Sequence, residues 1–304
     1  MKDNLSKAIK EICLKEGFFK VGFSRYEKLS GEVSGLKTWI DEGRNADMEW
    51  ISKNLEKRED ASLILNGIKS IVSLAYIYDT PFEHKGNLPK ISRYAWGEKD
   101  YHKVLKRKLK KICKEIELLC GDVKTLFYVD DGPLMEKVWA VKSGIGWMGK
   151  NSNVLDSEAG SFFFLSEILI DVELEYDRPV DDLCETCRVC IDACPTGAIY
   201  EEYKVDANLC ISYQTIENRK EIPSYIDLSG WVFGCDVCQD VCPFNKRKFF
   251  TEDDSFYPMK KIFEKSVEEL SGIKEEEFQN IFEGSPVKRT KFTGWKRNLE
   301  RYSK

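Results

Sequence analysis

Cysteine is the residue type whose spacing in this chain predicts chemistry most directly. Eight of the eleven cysteines fall between positions 184 and 242. A first set has the spacing C-x2-C-x2-C-x3-C-P and consists of Cys184, Cys187, Cys190 and Cys194. A second set has the shorter spacing C-x2-C-x3-C-P and consists of Cys235, Cys238 and Cys242, while Cys210 lies between the two sets. Thiolates repeated at these intervals are suited to binding iron–sulfur clusters, which carry single electrons.

The spacing also predicts which thiolates share a cluster. In a C-x2-C-x2-C-x3-C-P run, three thiolates bind one 4Fe–4S cluster and the fourth binds the other. We therefore expect the first cluster on Cys184, Cys187, Cys190 and Cys242. The second cluster then has Cys194, Cys235 and Cys238. It lacks a fourth ligand because Val232 occupies the position where the repeat would begin with cysteine, and Cys210 is the candidate for that place.

Disulfide bonding and structural zinc are the two other uses of clustered cysteines. Disulfides require an oxidising compartment, and no secretory segment precedes the amphipathic pattern after Asn4. Zinc sites favour isolated C-x2-C pairs, often with histidine, whereas His84 and His102 are the only histidines and lie far from both sets. The repeated C-x3-C-P element favours two 4Fe–4S clusters. The remaining cysteines lie in helical patterns and are expected to be buried or inert thiols: Cys13, Cys113 and Cys120.

The composition indicates a globular protein with an uneven distribution of charge. The 304 residues suffice for one large and one small domain, and no 18-residue apolar run is present, so we expect a cytoplasmic protein without a membrane partner. The net charge of −5 does not indicate a nucleic-acid partner. However, residues 287–304 carry seven Lys and Arg against one acid, and residues 103–114 carry seven against none. Each run fits either a phosphate-binding surface or a solvated helix face.

Hydrophobic periodicity predicts the elements that position the chemistry. Helices are predicted at 5–16, 35–42, 100–119 and 133–142, and strands at 19–23, 70–78, 123–129 and 161–171, the last being a strand or a hairpin. The helix at 133 starts on proline, a favoured first helical residue. We predict an α+β fold: an α/β domain with a central sheet over 1–175, a ferredoxin-like domain with two 4Fe–4S clusters over 176–250, and a helical basic tail over 251–304.

The first domain lacks the motifs of common nucleotide sites. No G-x-G-x-x-G opens a helix, so a Rossmann flavin or nicotinamide site is not indicated. The glycine-rich segment from Gly144 to Lys150 follows a predicted helix rather than a strand, which favours a helix C-cap and loop. Two classes of function stay open on these residues: an enzyme that receives electrons from the clusters, and a plain ferredoxin-type electron-transfer protein. The long first half favours the enzyme.

The segments around this loop resemble the epoxyqueuosine reductase family. Residues 129–137 read V-D-D-G-P-L-M-E-K and are similar to that family's V-D-[ST]-x-P-V-x-E-[RK]. Residues 144–151 are similar to its G-x-G-W-x-G-K-[NH]. Further similar segments lie at 46–50, 93–95, 100–103, 210–217, 234–239 and 284–289. The matches extend from about residue 17 to 298, so the resemblance covers nearly the whole chain.

The resemblance implies an enzyme that reduces epoxyqueuosine to queuosine at the wobble position of tRNA with a GUN anticodon, the final step of queuosine biosynthesis. It implies that the α/β domain over 1–175 is a cobalamin-binding catalytic domain, whose cofactor receives electrons from the two clusters as in the related reductive dehalogenases. It also implies Asp130 as the proton donor, where the residues alone favour turn and capping roles for Asp130 and Asp131. A reductive-dehalogenase-like enzyme acting on a small organic substrate is the alternative. The implied partners are tRNA and a low-potential electron donor, and we expect a monomer.

The resemblance further implies a base-off cobalamin, because neither histidine lies in a D-x-H-x-x-G segment. By family position, the backbone of 130–135 and 151–154 contacts the cofactor, together with Lys53, Arg93, Asp130, Asn153, Ser212, Arg219 and Asp236. Many family members continue into helical repeats that help to hold tRNA, and this chain ends at Lys304. We therefore expect phosphate contacts from the basic tail, through Lys288, Arg289, Lys291, Lys296 and Arg297.

Overall fold

The computed structural model of the chain describes residues 2–246 and 249–302. Its strands are β1 (Lys20–Arg25), β2 (Ser70–Ile77), β3 (Lys90–Ile91), β4 (Thr125–Tyr128), β5 (Trp147–Met148), β6 (Val154–Leu155), β7 (Phe163–Ile170) and β8 (Trp231–Phe233). Its helices are α1 (Lys2–Lys15), α2 (Ser30–Asp41), α3 (Leu55–Glu59), α4 (Tyr101–Cys120), α5 (Glu136–Lys142), α6 (Val189–Asp192), α7 (Ile211–Ile216), α8 (Val237–Asp240), α9 (Val267–Gly272), α10 (Glu275–Ile281) and α11 (Lys291–Tyr302). None of the helices in these ranges is long and apolar enough to cross a membrane.

A four-stranded sheet lies at the centre of the first half of the chain. Its strand order is β1-β2-β7-β4, and every neighbouring pair is antiparallel. All eight residues of β2 are buried, as expected for an inner strand. The predicted central sheet is therefore confirmed. Because its strands are antiparallel and helices cover them, the fold is of the α+β class.

Alternate residues of β7 face two different layers. Phe164 and Ile168 belong to the core shared with α1 and α4. Leu165 and Leu169 pack on the opposite face, which α5 covers. Glu167 lies between these two leucines in sequence and therefore points to the α5 side, where it is fully buried. The sheet thus holds a fully buried ionisable side chain in the layer beneath α5.

The helix that follows β4 begins later than the sequence predicts. It starts at Glu136, not at Pro133, because the preceding residues form a tight turn. Asp130 has a left-handed backbone with φ of 55°. Gly132 lies against the ring of Tyr128, where an added Cβ would come within 2.2 Å of a ring carbon. The other predicted helices and strands are confirmed to within a few residues, apart from the start of the second helix, and 161–171 is one strand without a hairpin.

The C-terminal segment packs into a core. Trp295 of α11 is fully buried in the same apolar cluster as Phe233 of β8. Asn298 is also fully buried, and its amide donates to the carbonyls of Thr215 and Val232 at 2.9 Å each. These bonds attach α11 to the segment that carries the cysteines. The predicted basic tail is therefore an integral part of the fold, while Lys304 lies outside the described residues.

Two of the side chains predicted to contact phosphates form hydrogen bonds within the protein. The Arg297 guanidinium donates to the backbone carbonyls of Gln214, Asn218 and Lys220 at 2.5 to 2.9 Å. The Lys296 ammonium donates to the carbonyl of Ser271 at 2.7 Å. These hydrogen bonds to carbonyl oxygens help to hold α11 in place, and the phosphate contacts of the two side chains stay predictions.

Candidate active site

The thiols predicted to share the first cluster lie near one another. Burial raises the pKa of Cys190 to about 11, and three neighbouring thiols contribute to that shift: Cys184, Cys242 and Cys187. The helices α6 and α8, which lie within the two cysteine motifs, pack together. The indole N–H of Trp147 donates to the Cys184 sulfur at 3.4 Å, and Cys242 belongs to the same small apolar cluster as that indole. The β5 strand therefore covers the first group of thiols.

The thiols predicted to share the second cluster also lie together. They line one cavity of about 550 Å³ and are Cys194, Cys210, Cys235 and Cys238. Burial raises the pKa of Cys235, and the charges of Cys210 and Cys194 add to it. Cys210 lies directly before α7, and its sulfur accepts the backbone N–H groups of Ser212 and Tyr213. The first group is close behind, since Cys190 contributes to the raised pKa of Cys238.

The donor set of these two groups fits 4Fe–4S clusters. Each group supplies four thiols, and a 4Fe–4S cluster binds four thiolates, each at a different iron. The N–H groups aimed at the sulfurs fit as well, because such hydrogen bonds tune cluster potentials.

Three adjoining cavities separate the end of the sheet from the cysteine motifs. Their volumes are about 1340, 650 and 550 Å³, and Asp130 and Val205 line all three. The smallest has the second group of thiols in its wall. The largest exceeds the roughly 300–1,000 Å³ of a pocket for a drug-sized ligand. The space is therefore suited to a large cofactor together with part of a substrate.

Asp130 lies where the three cavities meet. Its backbone N–H donates to Glu136 Oε1 at 2.7 Å, which closes the turn after β4. The Tyr101 hydroxyl donates to Asp130 Oδ2 at 2.5 Å, and His102 Nε2 is 3.8 Å from the same oxygen. The Asp130 side chain is 64% exposed, so the carboxyl group faces the open space. A group held in this way can exchange a proton with a molecule in the cavity.

Asp131 has the turn role that the residues alone suggested for both Asp130 and Asp131. Asp131 Oδ1 accepts the Val129 N–H at 3.4 Å, and its carboxylate pairs with Lys106. Met135, not an aspartate, occupies the N-cap position of α5, and no side chain caps that helix. Asp130 is therefore not a helix cap.

The first turn of α4 positions the partners of Asp130. Asp100 caps this helix by accepting the His102 N–H at 2.9 Å, and it also contacts His102 Nδ1 at 2.6 Å. The Tyr101 ring stacks on Phe164 with centroids 4.2 Å apart. Burial raises the pKa of Tyr101, and the charge of Asp130 adds to it, so the phenol stays a hydrogen-bond donor. Sequence reasoning missed Tyr101 and His102, because the capping pattern of 100–103 indicates only a helix start.

Some of the predicted cofactor contacts line the cavities. They are Lys53, Asp130, Asn153 and Ser212, together with the loops 130–135 and 151–153. Three others are absent from the lining of these cavities: Arg93, Arg219 and Asp236. Asp236 is fully buried and accepts the Arg93 N–H at 2.8 Å, with the Arg93 guanidinium 3.6 Å away. Burial raises the pKa of Asp236 to about 6. Arg219 donates to the carbonyls of Ile216 and Arg289. These three residues have partners within the protein, and their contact with the cofactor stays a prediction.

Exposed basic side chains line the largest cavity. They come from separate segments and are Lys53, Lys103, Lys288 and Arg289. Trp50 is 47% exposed, and the Arg289 guanidinium lies 6.0 Å from the centre of its ring. Both basic runs of the sequence thus contribute to one surface. Within the run 103–114, only Lys103 reaches this lining.

Two family models match the chain. One, described as a 4Fe-4S double cluster binding domain, matches residues 183–245. The other, described as Epoxyqueuosine reductase QueG, DUF1730, matches residues 58–131. The first match contains all eight clustered cysteines, and the second contains Tyr101, His102 and Asp130. Together they cover both sides of the cavities.

Known proteins are similar over almost the whole chain. The epoxyqueuosine reductase of Cellulophaga algicola is 40% identical over 301 residues, 98% of each chain. A solved epoxyqueuosine reductase with a tRNA-Tyr epoxyqueuosine-modified tRNA stem loop is 30% identical with a TM-score of 0.89, over 98% of this chain and 80% of that one. The Bacillus subtilis enzyme, solved with its catalytic aspartate loop swung out of the active site, is 28% identical with a TM-score of 0.89, over 98% and 81%.

The bond from Trp147 to Cys184 gives a prediction for the first cluster. Trp147→Phe keeps an aromatic ring but removes the N–H donor. A hydrogen bond to a cluster thiolate favours the more negative, reduced state. Its loss should make the cluster harder to reduce by on the order of 1 kcal/mol, or roughly 40 mV for one electron. A redox titration followed by electron paramagnetic resonance measures the shift.

Trp295→Phe is the matched control for this measurement. Trp295 is equally buried, lies in a different core, and its N–H has no partner among the described residues. It should leave both cluster potentials unchanged. An unchanged potential in Trp147→Phe as well would show that the indole N–H does not act on the cluster.

Proposed function

This chain belongs to the epoxyqueuosine reductase family, and we propose that it reduces epoxyqueuosine to queuosine at the wobble position of tRNA. The observation that carries the proposal is a cavity with cluster-binding thiols in one wall and Asp130 in another. Electrons and a proton can therefore reach the same space from different sides. The relative solved with an epoxyqueuosine-modified tRNA stem loop supports the substrate.

We propose that two groups of thiols bind the two 4Fe–4S clusters. The first group is Cys184, Cys187, Cys190 and Cys242. The second group is Cys194, Cys210, Cys235 and Cys238. Because the second group lines the cavity and the first lies behind it, electrons would enter through the first cluster and leave through the second. The low-potential donor of those electrons and the monomeric state stay predictions.

The adjoining cavities fit a cobalamin. Lys53, Asn153 and Ser212, with the loops 130–135 and 151–153, would hold it. When bound, cobalamin supplies a strongly reducing, nucleophilic cobalt. The protein supplies the enclosure, the orientation and the proton.

Asp130 is the residue that we assign to proton delivery. Tyr101 fixes one carboxyl oxygen by its 2.5 Å hydrogen bond, and the rest of the group faces the cavity. Breaking an epoxide carbon–oxygen bond leaves a developing alkoxide that needs a proton. A plain electron-transfer protein would need neither this enclosure nor this acid.

Anaerobically purified protein should contain about eight iron atoms per chain, four for each cluster. Cys210→Ala removes one proposed ligand of the second cluster and should selectively damage that cluster. Iron analysis and cluster spectra measure the loss. Cys120→Ala is the control, because Cys120 lies at the end of α4 outside both groups. Full iron content and wild-type spectra in Cys210→Ala would disprove the ligand assignment.

Asp130→Asn keeps the size of the side chain but cannot deliver a proton. Turnover of epoxyqueuosine-containing tRNA should fall by about 10²-fold or more, the usual contribution of a positioned acid. Iron and cobalamin contents should stay at wild-type values. Asp131→Asn should lose far less activity, because that carboxylate is tied to Lys106. Near-normal turnover in Asp130→Asn would remove Asp130 from the mechanism.

The basic lining of the largest cavity should contact tRNA phosphates. Replacing Lys103 and Lys288 together by alanine should weaken tRNA binding and lower the slope of log affinity against log salt by roughly 1 to 2. Lys114→Ala with Lys274→Ala is the matched control, since both lysines are exposed and neither lines this cavity. Equal affinities and slopes in the two double variants would show that the lining does not bind the backbone.

A further inference from the structure

Trp50 is an unusual residue for the rim of an open cavity. All seven tryptophans lie within the described ranges, and Trp50 is the one that is exposed, at 47%. It nevertheless lines the two larger cavities, so its indole ring stands at their rim with part of its surface towards solvent. An indole ring has a large apolar surface, and its exposure to water is costly. Such a ring is typical of a surface that binds a partner.

The backbone beneath this ring is held by contacts to the segment that carries the cysteines. The Asp47 N–H donates to the Tyr213 hydroxyl at 3.2 Å, and the Lys220 ammonium donates to Asp47 Oδ1 at 3.0 Å. Trp50 itself lies in the short 3-10 helix Glu49–Ser52 that follows. The ring is therefore presented from a fixed position, which lowers the entropy that a partner must remove on binding.

Basic side chains lie on both sides of the ring in the chain. The Arg289 guanidinium is 6.0 Å from the ring centre, and Lys53 follows three residues later in the same cavity lining. Atoms in contact are about 3.5–4.0 Å apart, so the guanidinium does not stack on the ring. Two nearby acids are neutralised, since Glu217 pairs with Arg289 and Asp47 pairs with Lys220. An aromatic face among cations suits a nucleobase and its phosphates.

The proposed reaction requires a nucleotide to leave its stack. Trp50 and Asp130 line the same two cavities, and the wobble base has to reach Asp130 inside them. An enzyme that acts on a base takes that base out of its stack, at a cost in free energy. The neighbouring base then loses a stacking partner and is left at the rim, where the indole ring lies. Proteins that bind single-stranded RNA replace such lost stacking with aromatic side chains.

We propose that Trp50 stacks on an unpaired anticodon-loop base next to the wobble nucleotide, and so replaces the stacking that this base loses when epoxyqueuosine enters the cavity. The inference rests on the proposed function. Trp50 supplies affinity that does not depend on charge, whereas the basic lining supplies affinity that does. Because every base has an aromatic face, the contact holds the loop without selecting the neighbouring base.

The first test is binding of an epoxyqueuosine-containing anticodon stem loop to the holoprotein. Trp50→Ala should weaken binding by roughly 5- to 150-fold, the contribution of one stacked base. Trp50→Phe keeps an aromatic ring and should lose far less. Because neither change removes a charge, the slope of log affinity against log salt should stay at its wild-type value. Wild-type affinity in Trp50→Ala, equal losses in the two variants, or a lower salt slope would each overturn the proposal.

Tyr225→Ala is the matched control for this measurement. Tyr225 is 74% exposed and lines none of the three cavities. Its removal should leave stem-loop affinity at the wild-type value. A similar loss in Tyr225→Ala would show that binding responds to any missing surface ring, and the assignment of Trp50 would be wrong.

The second test observes the stacked base itself. Two stem loops carry a fluorescent base analogue, which is brighter when unstacked, at one or the other neighbour of the wobble nucleotide. At saturating protein, one of them should be quenched on the wild-type protein and bright on Trp50→Ala. A merely structural role of Trp50 would leave the emission of the bound analogue unchanged. Equal emission with both proteins at both positions would therefore disprove the stacking.

Cofactor content separates the base from cobalamin as the partner of Trp50. Trp50→Ala should retain wild-type iron and cobalamin. Loss of cobalamin with unchanged stem-loop affinity would assign the ring to the cofactor and overturn the proposal. If Trp50→Ala binds and converts tRNA as the wild type does while Asp130→Asn is inactive, the stacking is disproved and the proposed function stands.

Discussion

The hydrogen bond from the Asp130 N–H to Glu136 determines where the sheet ends and the reactive space begins. The bond holds Asp130 in a left-handed conformation and makes α5 start at Glu136. The loop between them can then form a cavity wall, whereas a helix starting at Pro133 would fill that space. The same bond anchors Glu136 at the start of α5, above the sheet. One backbone donor thus fixes Asp130, the cavity wall and the first residue of α5 together.

The cysteine motifs reach this space through buried polar contacts. Asp236 lies directly after Cys235, and its buried carboxylate accepts the Ser92 hydroxyl and the Arg93 N–H. Asn298 performs the corresponding role from the C-terminal side by bonding two carbonyls near β8. Buried polar groups are expensive unless every partner is in place. Such contacts therefore define one arrangement of the second group of thiols relative to Asp130, which apolar packing alone would define less sharply.

The sequence predicts those parts of the molecule that depend on local spacing. Cluster-binding cysteines must follow a fixed interval along the chain, so their grouping, including Cys210, follows from the spacing of the residues. Strands of buried residues and the capped start of α4 are likewise local. By contrast, several interactions depend on segments that are distant in the sequence. They are the hydrogen bond between Arg93 and Asp236, the capping of α7 by Arg297, and the approach of Tyr101 to Asp130. The sequence pattern also does not predict the late start of α5, because that start depends on the contact between the Tyr128 ring and Gly132.

Glu167 is the residue whose environment the sequence predicts least well. In the sequence of β7, Glu167 and the preceding Ser166 are the two polar residues of an otherwise apolar strand, and a charged residue there usually indicates a position exposed at the sheet surface. The structure instead buries it beneath α5, because both faces of this sheet are covered. A fold that needed only stability would place leucine there, as it does at positions 165 and 169. The sheet instead retains an acid beneath α5, the helix whose first residue accepts the Asp130 N–H. Its burial depends on which elements pack over β7, and the residues of one strand carry no record of those elements.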